Sequence, residues 1–378
     1  MAASPEDSLS FPVSATGSIR VAWVTGHGAL LRHGRTFQMM AIGLIDEMTE
    51  VLVLCPPEVD AGALPAPVIQ VVRYRYNPWL PWRRRRGLVQ ELARRDIGLL
   101  HCVEGEALSV TRHLAGAAGL PLVVSCYSLQ EALALGPDPR QHGMLAASEP
   151  IARALTGRYR TESVFLVRPG VFLTGAGRSP RPEGRRVAIM AGGGRFDDAR
   201  AFEGLLKAFH LVRQRRGDCL FFLMGSGPAE HAIRRRAAAL ELLGDLTFID
   251  YAGPAQLPAV FKAADMYVSL RAGGEVDLAS LQAMAAGVPV VAAGEGGSDF
   301  LVDGQTARFF RGDDGEDLAG KIVGLLDAPE AAATLVRGAA ALLEKQHSPA
   351  AMIGQLVRIY RHVLGDVARG KLSGGDTK

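Results

Sequence analysis

Short runs of Val, Ile and Leu alternate along the chain with longer segments of helical periodicity. Five apolar runs occupy the first half, at 20–25, 50–56, 69–74, 98–103 and 120–127. Between them, segments such as 36–48 and 108–119 repeat apolar residues at helical spacing. Continuous apolar runs that alternate with helices are typical of strands buried in parallel sheets.

A second series of apolar runs follows, at 186–192, 219–225, 246–251, 266–270 and 288–293. The stretch VFLTGAGRSPRPEGR between the two series is rich in Gly, Pro and Arg, which favours a linker. We therefore predict an α/β protein with two Rossmann-like, doubly wound domains that face each other across a cleft. Ligands of such domains bind at the carboxyl ends of the strands.

The length of 378 residues agrees with two domains, because a single core usually stops growing below that size. The predicted organisation starts with a flexible tail at 1–18 and an N-terminal Rossmann-like domain at 19–172. A linker at 173–185 leads to a C-terminal Rossmann-like domain at 186–347. A helix at 348–367 is expected at the domain junction, and a tail at 368–378 ends the chain.

Composition and charge narrow the class of protein. The 48% hydrophobic content and the mean hydropathy of +0.13 exclude a largely disordered chain. A formal net charge of +3 gives no reason to expect a nucleic-acid partner. Acids in the N-terminal segment argue against a signal peptide, and no apolar run is long enough to span a bilayer. We expect a cytoplasmic protein.

The four cysteines, Cys55, Cys102, Cys126 and Cys219, stand singly beside apolar runs. No CxxC pair and no histidine at metal-ligand spacing accompanies them. They are therefore predicted to be reduced thiols in the core, and no metal site is expected.

The clearest candidate for ligand binding follows the strand at 186–192. Gly192, Gly193 and Gly194 precede Arg195, and Arg200 stands just before the next helix. Glycines let a ligand approach the backbone, while arginines supply paired donors for phosphate oxygens. A tight strand-to-helix connection explains the glycines equally well, and the two arginines favour phosphate contact.

Five segments together resemble a known family. GGGRFDDARAFEGLLKAF, LFFLMGSGP, LTFIDYAG, LPAVFKAADMYVSL and SLQAMAAGVPVVAAGEGG follow one another over about 186–310. In order and spacing they resemble the C-terminal domain of retaining GT-B glycosyltransferases of the family 4 type, also called glycosyl transferases group 1. RVAWVT, PLVVSCYS and LVRPGV resemble that family's other landmarks more weakly, so the resemblance extends over about 20–365.

The resemblance implies transfer of a sugar, with retention, from a nucleotide-diphosphate sugar to a hydroxyl of an acceptor. The acceptor, on the side of the domain at 19–172, would be a glycan, a lipid-linked molecule or a small molecule, and the domain at 186–347 would take the nucleotide sugar. No cofactor is implied besides the nucleotide sugar as co-substrate. Arg195 matches the family arginine and Arg200 the family lysine that contact the donor's diphosphate, where they would neutralise charge on the leaving group. The residues expected to bind the donor are Gly194, Gly225, Gly227, Asp277, Leu278 and Gln282.

The sequence departs from the family at three acidic positions. The paired glutamates of the family, eight residues apart, correspond to Gly274 and Gln282. Gln282 can still hydrogen-bond a ribose, although without a charged acceptor. Glu275, proposed as a catalytic residue, or Asp277 could replace the missing acid if the loop is shifted; a helix N-cap or a solvent-facing position is the alternative for both. A later family glutamate is replaced by Phe300.

In the first half, TGHGALLRHGRTF corresponds loosely to the family's glycine-rich loop. Gly26 and Gly28 would permit close backbone approach, and Arg32 could meet a phosphate or an acidic acceptor. A solvated basic loop explains the same residues equally well. The family's histidine after the strand at 120–127 is replaced by Tyr127.

A basic segment with aromatic residues, NPWLPWRRRRG, precedes a predicted helix. Trp79 and Trp82 beside the run from Arg83 through Arg84 and Arg85 to Arg86 could seat the protein on an anionic membrane, at the inner face of the membrane. A solvated basic turn is the alternative.

Two functions therefore remain open at the level of sequence. The first is a glycosyltransferase. The second is a catalytically degenerate nucleotide- or glycan-binding protein, which Gly274 and Phe300 favour. A nicotinamide-dependent oxidoreductase is not supported, because no GxGxxG with a following acid is present.

Overall fold

The computed structural model describes residues 18–26, 29–59, 69–75, 83–175, 182–250, 257–270, 274–294 and 297–368. At 29–35, 83–85, 193–195, 257–258 and 366–368 the description is limited to the backbone. The chain divides into two compact units and passes from the first to the second after Arg168. It returns to the first unit at Ala350.

Seven strands lie in the first unit: β1 (Ile19–Val24), β2 (Thr49–Cys55), β3 (Gln70–Arg73), β4 (Leu99–Cys102), β5 (Leu122–Cys126), β6 (Gln141–Ala146) and β7 (Val164–Leu166). The helices that connect them are α1 (Ala29–Asp46), α2 (Arg83–Arg94), α3 (Leu108–Ala118), α4 (Leu129–Ala134) and α5 (Glu149–Thr156).

The second unit contains β8 (Val187–Arg195), β9 (Cys219–Ser226), β10 (Leu246–Ile249), β11 (Met266–Ser269), β12 (Val290–Ala293) and β13 (Arg308–Phe310). Its helices are α6 (Glu203–Arg215), α7 (Glu230–Ala239), α8 (Leu257–Ala263), α9 (Leu278–Ala285), α10 (Gly315–Asp327) and α11 (Pro329–Gln346). The last helix of the chain is α12 (Pro349–Ala368).

Each unit is built on one parallel sheet. The first sheet has the order β3-β2-β1-β4-β5-β6-β7, and the second has the order β10-β9-β8-β11-β12-β13. In each sheet the strand order reverses beside the first strand of the unit, between β1 and β4 and between β8 and β11. Such a reversal is the topological switch point where open parallel sheets bind ligands. The predicted α/β class and the two doubly wound sheets are confirmed.

All ten predicted strands are present, and three strands were missed. β6 has the sequence QHGMLA, in which Gln141, His142 and Gly143 interrupt the apolar pattern. β7 and β13 have only three residues each. A strand that is short or mixed in polarity is not recognisable from the sequence, because its pairing with a neighbouring strand makes it a strand.

The core of the second sheet explains why its strands are nearly continuous apolar runs. Ile189, Phe209 and Phe221 are fully buried, and the rings of Phe209 and Phe221 stack with centroids 4.3 Å apart. Helices cover the sheet, so both faces of each central strand must be apolar. The four cysteines are buried with free thiols, as predicted.

The C-terminal helix α12 belongs to the first unit and is tied to its sheet by buried polar side chains. Tyr360 accepts a hydrogen bond from the indole Nε1 of Trp23 at 3.1 Å, and its hydroxyl lies 2.7 Å from Nδ1 of His101. The other ring nitrogen of His101 lies 2.8 Å from Oγ of Ser125. Whether α12 lies at a domain junction stays a prediction.

Burial lowers the pKa of His101 to about 3, so the ring is neutral in the folded protein. A neutral imidazole has one donor and one acceptor nitrogen, which suits its two hydroxyl neighbours. Within the described residues, none of the helices combines the length and apolar character that crossing a membrane requires.

We expect Tyr360→Phe to destabilise the protein by about 2 kcal/mol, because the buried Trp23 indole and the His101 ring each lose a partner. Tyr159→Phe is the matched control: Tyr159 is buried in the same unit, and its hydroxyl donates one bond of 2.6 Å to the carbonyl oxygen of Leu135. A loss of about 1 kcal/mol is expected there. Urea titration followed by circular dichroism measures both values, and equal losses would contradict the network.

Candidate active site

The sequence-predicted donor residues meet at one edge of the second sheet. Gly194 and Arg195 end β8, Gly225 lies at the end of β9, and the segment from Gly274 onwards follows β11. Parallel strands carry their carboxyl ends to the same edge. The β8/β11 switch point lies at that edge, so the structure brings these segments together where a ligand is expected.

Gly192 lies within β8 and Gly227 directly after β9, and close backbone contacts surround both. Residues 192–194 are strand and not a tight connection, with a register shift between Gly192 and Gly194 where β8 pairs with β9. Gly192 has φ of 113°, and a Cβ on it would come 2.3 Å from the carbonyl oxygen of Met224. A Cβ on Gly227 would come 2.7 Å from the carbonyl oxygen of Phe196. Close backbone packing is therefore sufficient reason for glycine at both positions, independent of any ligand.

The structure describes the side chain of Arg200 but only the backbone of Arg195. The backbone of Arg195 pairs with Ser226 at the end of β9, and its side chain lies outside the described residues. Arg200 lies in a 3₁₀ turn, Ala199–Phe202, with its guanidinium 79% exposed. Its guanidinium forms an ion pair with the carboxylate of Asp198 at 3.0 Å. Hydrogen bonds from the side chain and the backbone N–H of Arg200 to this carboxylate lower the pKa of Asp198. A phosphate that binds Arg200 would have to compete with the carboxylate of Asp198 for the guanidinium.

Asp277 is placed differently from the predicted donor-binding role. Its carboxylate is 2% exposed and caps the N-terminus of α9, accepting from the backbone N–H groups of Ala279 and Ser280 at 3.1 Å each. It also accepts from the hydroxyls of Ser280, at 2.6 Å, and Ser269. A carboxylate has about four acceptor sites, and all are filled. Of the two alternatives for Asp277, the structure has the N-cap.

The loop before α9 is held by a second serine. Ser298 accepts from the backbone N–H of Asp277 at 2.8 Å and donates to the carbonyl oxygen of Glu275 at 3.4 Å. The side chain of Glu275 is exposed, one residue after the position of the missing family acid. Leu278 is buried in the core at the start of α9. Of these residues, Glu275 is the one with a carboxylate that a ligand can reach.

Gln282 lies one turn after Leu278 on α9. Its side chain is 9% exposed, and within the described residues no hydrogen bond to its amide is present. The amide is not among the described buried polar atoms that lack a partner, so water reaches it in the absence of a ligand. The donor-binding role of Gln282 stays a prediction.

Phe300 stands where the family has a glutamate, and here it is part of the core. Its ring is fully buried and packs edge-to-face on His347, with centroids 5.4 Å apart. Its carbonyl oxygen accepts a bond of 2.7 Å from the hydroxyl of Thr306. No polar contact to a ligand can come from this side chain.

The predicted acceptor residues of the first unit lie at the carboxyl edge of its own sheet. Gly26 follows β1, and a Cβ on it would come 2.5 Å from Oε2 of Glu106, which follows β4. Tyr127 follows β5 and its backbone N–H donates to Glu131 at 2.7 Å. Burial raises the pKa of Tyr127, so the phenol stays neutral. Gly28 and the side chain of Arg32 lie outside the described residues.

Glu106 was not singled out from the sequence, yet it adjoins Gly26 at the β1/β4 switch point. Its position just after the predicted strand at 98–103 is a signal that could have found it, because switch-point ligands bind at strand ends. Within the described ranges, no group of three His, Cys, Asp or Glu residues is arranged to hold a metal ion.

Comparison with known proteins identifies a domain in the second unit. Residues 186–328 match the model for "Glycosyl transferases group 1". Residues 186–328 are a group 1 glycosyltransferase domain. A phosphatidyl-myo-inositol mannosyltransferase of Mycolicibacterium smegmatis is 26% identical over 339 residues, which cover 84% of this chain and 85% of the relative. A D-inositol 3-phosphate glycosyltransferase of Nocardia farcinica is 30% identical over 200 residues, covering 48% of this chain and 44% of the relative.

Solved structures of other proteins have the same fold as this chain. The Anabaena protein HepE, in complex with UDP and glucose, has a TM-score of 0.75 at 16% identity, covering 90% of this chain and 98% of that one. A glycosyltransferase from Rickettsia africae has a TM-score of 0.74 at 12% identity, covering 92% of this chain and 99% of that one. The chain is a glycosyltransferase with two parallel sheets of the GT-B fold, as the motifs of its second half predict.

Gly192→Ala tests whether β8 requires glycine where it contacts the backbone of β9. We expect a loss of about 2 kcal/mol or more, because the new Cβ meets a backbone oxygen at a left-handed φ. Gly217→Ala is the control, since a Cβ there meets nothing within 4 Å, and a change within about 0.5 kcal/mol is expected. Urea titration measures the free energy of unfolding of both variants. An unchanged value for Gly192→Ala would refute the contact.

Proposed function

We propose that this glycosyltransferase moves a sugar, with retention, from a nucleotide-diphosphate sugar to a hydroxyl of a polyol-containing acceptor. The proposal is supported by the β8/β11 switch point: the glycines and Arg195 end β8, the exposed Arg200 precedes α6, and Gln282 lies on α9, which follows β11. A phosphate group fits glycine backbone and guanidinium donors, and a ribose fits an amide.

In this proposal Arg195 and Arg200 bind the donor's diphosphate and stabilise the charge that develops on it as it leaves. Gln282 binds the ribose, and Glu275 contacts the sugar. The bond between the anomeric carbon and the phosphate oxygen breaks, and a bond from that carbon to the acceptor oxygen forms. The acceptor's proton passes to the departing diphosphate. The nucleotide sugar is a co-substrate, and no step needs a further cofactor.

The acceptor class rests on the names of relatives. Two of them are named for transfer to phosphatidyl-myo-inositol and to D-inositol 3-phosphate. We therefore propose an acceptor with an inositol-like ring of hydroxyls, either lipid-linked or free. Gly26 and Tyr127, at the carboxyl edge of the first sheet, are the proposed acceptor residues, with Glu106 beside them as a hydrogen-bond acceptor for hydroxyl groups.

A calorimetric titration with UDP-, GDP- and ADP-sugars, followed by transfer assays on inositol, inositol phosphate and phosphatidylinositol, tests this function. We expect binding of at least one donor and transfer to one acceptor. In an Arg195→Ala, Arg200→Ala double variant, donor affinity is expected to fall about 100-fold, because each arginine makes charge-assisted bonds.

The matched control is an Arg213→Ala, Arg215→Ala double variant. Both arginines lie in the last turn of α6, which leads to the amino end of β9 and therefore to the opposite edge of the sheet. Its donor affinity is expected to be unchanged. Donor binding without transfer to any acceptor would favour the degenerate binding protein, which Gly274 and Phe300 still suggest. No binding of any nucleotide sugar would refute both functions.

Association with a membrane surface is a separate part of the proposal. The basic helix α2 (Arg83–Arg94) carries Arg86, while Trp79, Trp82 and the side chains of Arg83, Arg84 and Arg85 lie outside the described residues. We propose that this segment binds anionic lipid at the cytoplasmic, inner face of the membrane. A phospholipid acceptor, as named for one relative, would require such contact.

Co-sedimentation with vesicles checks the membrane contact. Binding to phosphatidylglycerol vesicles is expected to exceed binding to phosphatidylcholine vesicles at least tenfold, and to weaken with salt, because each basic residue near an anionic surface contributes about 1 kcal/mol. Trp79→Ala, Trp82→Ala should weaken it further. Equal binding to both lipids, or none, would leave the solvated basic turn as the explanation.

A further inference from the structure

The carboxylate of Glu131 connects two segments at the carboxyl edge of the first sheet. Glu131 lies in the first turn of α4, which follows β5. Its Oε1 accepts the backbone N–H of Gly105, in the segment after β4, at 3.1 Å. Its Oε2 accepts the backbone N–H groups of Tyr127, at 2.7 Å, and of Ser128, at 3.1 Å, both in the segment after β5. Each oxygen therefore holds a different segment.

Only part of this arrangement serves to cap α4. In a capping box, the N-cap side chain and that of the third helical residue each accept the other's backbone N–H. Ser128 and Glu131 form such a box, because Oγ of Ser128 also accepts the N–H of Glu131 at 3.0 Å. The bonds to Gly105 and Tyr127 are additional to the box. Both are charge-assisted, which makes each about twice as strong as a neutral hydrogen bond.

The segment that is held through Gly105 also carries Glu106, which lies beside Gly26. A Cβ on Gly26 would come 2.5 Å from Oε2 of Glu106, so this carboxylate packs on the backbone directly after β1. β1, β4 and β5 are neighbours in the sheet, and neighbouring strands are about 4.8 Å apart. A continuous series of contacts therefore crosses three strand ends, from Gly26 through Glu106, Gly105 and Glu131 to Tyr127.

Packing fixes both ends of this connection. A Cβ on Gly105 would come 2.9 Å from Oε1 and 3.1 Å from Cγ of Glu131, so the side chain lies directly against the backbone that it binds. Ala107, in the segment after β4, is fully buried. Tyr127 is also buried, and its ring packs edge-to-face on Phe37. The core anchors each segment, and the carboxylate of Glu131 sets the spacing between them.

We infer that Glu131 is a positioning residue for the acceptor. By holding Gly105 with one oxygen and Tyr127 with the other, it fixes the distance between Glu106 and Tyr127, which are proposed acceptor residues. The inference rests on the proposed function. Glu131 acts through these residues and not by contact with a ligand. The proposed donor residues lie in the second unit, so the loss of Glu131 affects the acceptor and leaves donor binding intact.

Glu131→Gln breaks the connection at one end. An amide has a single acceptor oxygen, and its NH2 group cannot accept an N–H, so the side chain holds Gly105 or Tyr127 but not both. We expect kcat/KM for the acceptor to fall about 100-fold, because misplacement by about 1 Å has that effect. Transfer assays with inositol, inositol phosphate and phosphatidylinositol measure it. The Kd of the UDP-, GDP- or ADP-sugar that binds, measured by calorimetry, is expected to stay unchanged.

Tyr159→Phe is the matched control. The hydroxyl of Tyr159 donates to the carbonyl oxygen of Leu135, the residue that ends α4, at 2.6 Å. Its removal loosens α4 at the end away from the bonds of Glu131. Urea titration shows how far each variant is destabilised. The kcat/KM for the acceptor is expected to stay unchanged in Tyr159→Phe, because the connection between the two segments is kept.

Gly105→Ala tests the same connection from the other side and keeps Glu131 itself. The new Cβ would overlap Oε1 and Cγ of Glu131, so the carboxylate must move away from the N–H of residue 105. We expect the same acceptor-specific fall in kcat/KM and no change in the Kd of the donor. This variant decides the question if Glu131→Gln folds poorly.

An unchanged kcat/KM for the acceptor in both Glu131→Gln and Gly105→Ala, while the unmodified protein transfers sugar, would overturn this inference alone. An equal fall in Tyr159→Phe would also overturn it, because loosening of α4 would then explain the effect. So would a matching loss of donor affinity in Glu131→Gln. Absence of transfer by the unmodified protein to every acceptor would overturn the proposed function, and this inference with it.

Discussion

Parallel pairing of the strands is the constraint on which the rest of the structure depends. Because every strand runs in the same direction, all carboxyl ends of a sheet meet at one edge, and the reversal of strand order opens that edge to a ligand. Gly192 in β8 and Tyr267 in β11 are far apart in sequence and are joined by a hydrogen bond for this reason. The same holds for Gly26 and Glu106 in the first unit.

Hydrogen bonding at this edge determines which side chains remain available to a ligand. Asp277 has all its acceptor sites filled by its own helix and two serines, whereas Gln282 on the same helix has an amide without a partner in the described part of the chain. An acid near a missing catalytic position is therefore not automatically its substitute. Buried polar groups that are already satisfied hold the site in shape, whereas water or a ligand can still complete the bonds of the Gln282 amide.

Buried hydrogen bonds also determine where the C-terminal helix α12 packs. α12 comes last in sequence yet joins the first sheet, where Tyr360 connects Trp23 of β1 with His101 of β4. Neutral hydrogen bonds in a buried setting require specific partners, so they select one position for the helix where apolar packing alone would accept several. The low pKa of His101 has the same origin, because the surroundings of the ring exclude water.

The sequence by itself determined the class of fold, ten of the thirteen described strands and the family of the domain in the second unit. These follow from apolar runs and from motifs such as SLQAMAAGVPVV, which are local properties of the chain. It did not determine β6, β7 or β13, because strands that are short or mixed in polarity are defined by their neighbours. Nor could spacing decide between a ligand-binding and a capping role for Asp277. The tertiary structure decided it, because Ser269 and Ser298 reach Asp277 only when β11 and the segment after β12 are folded around the start of α9.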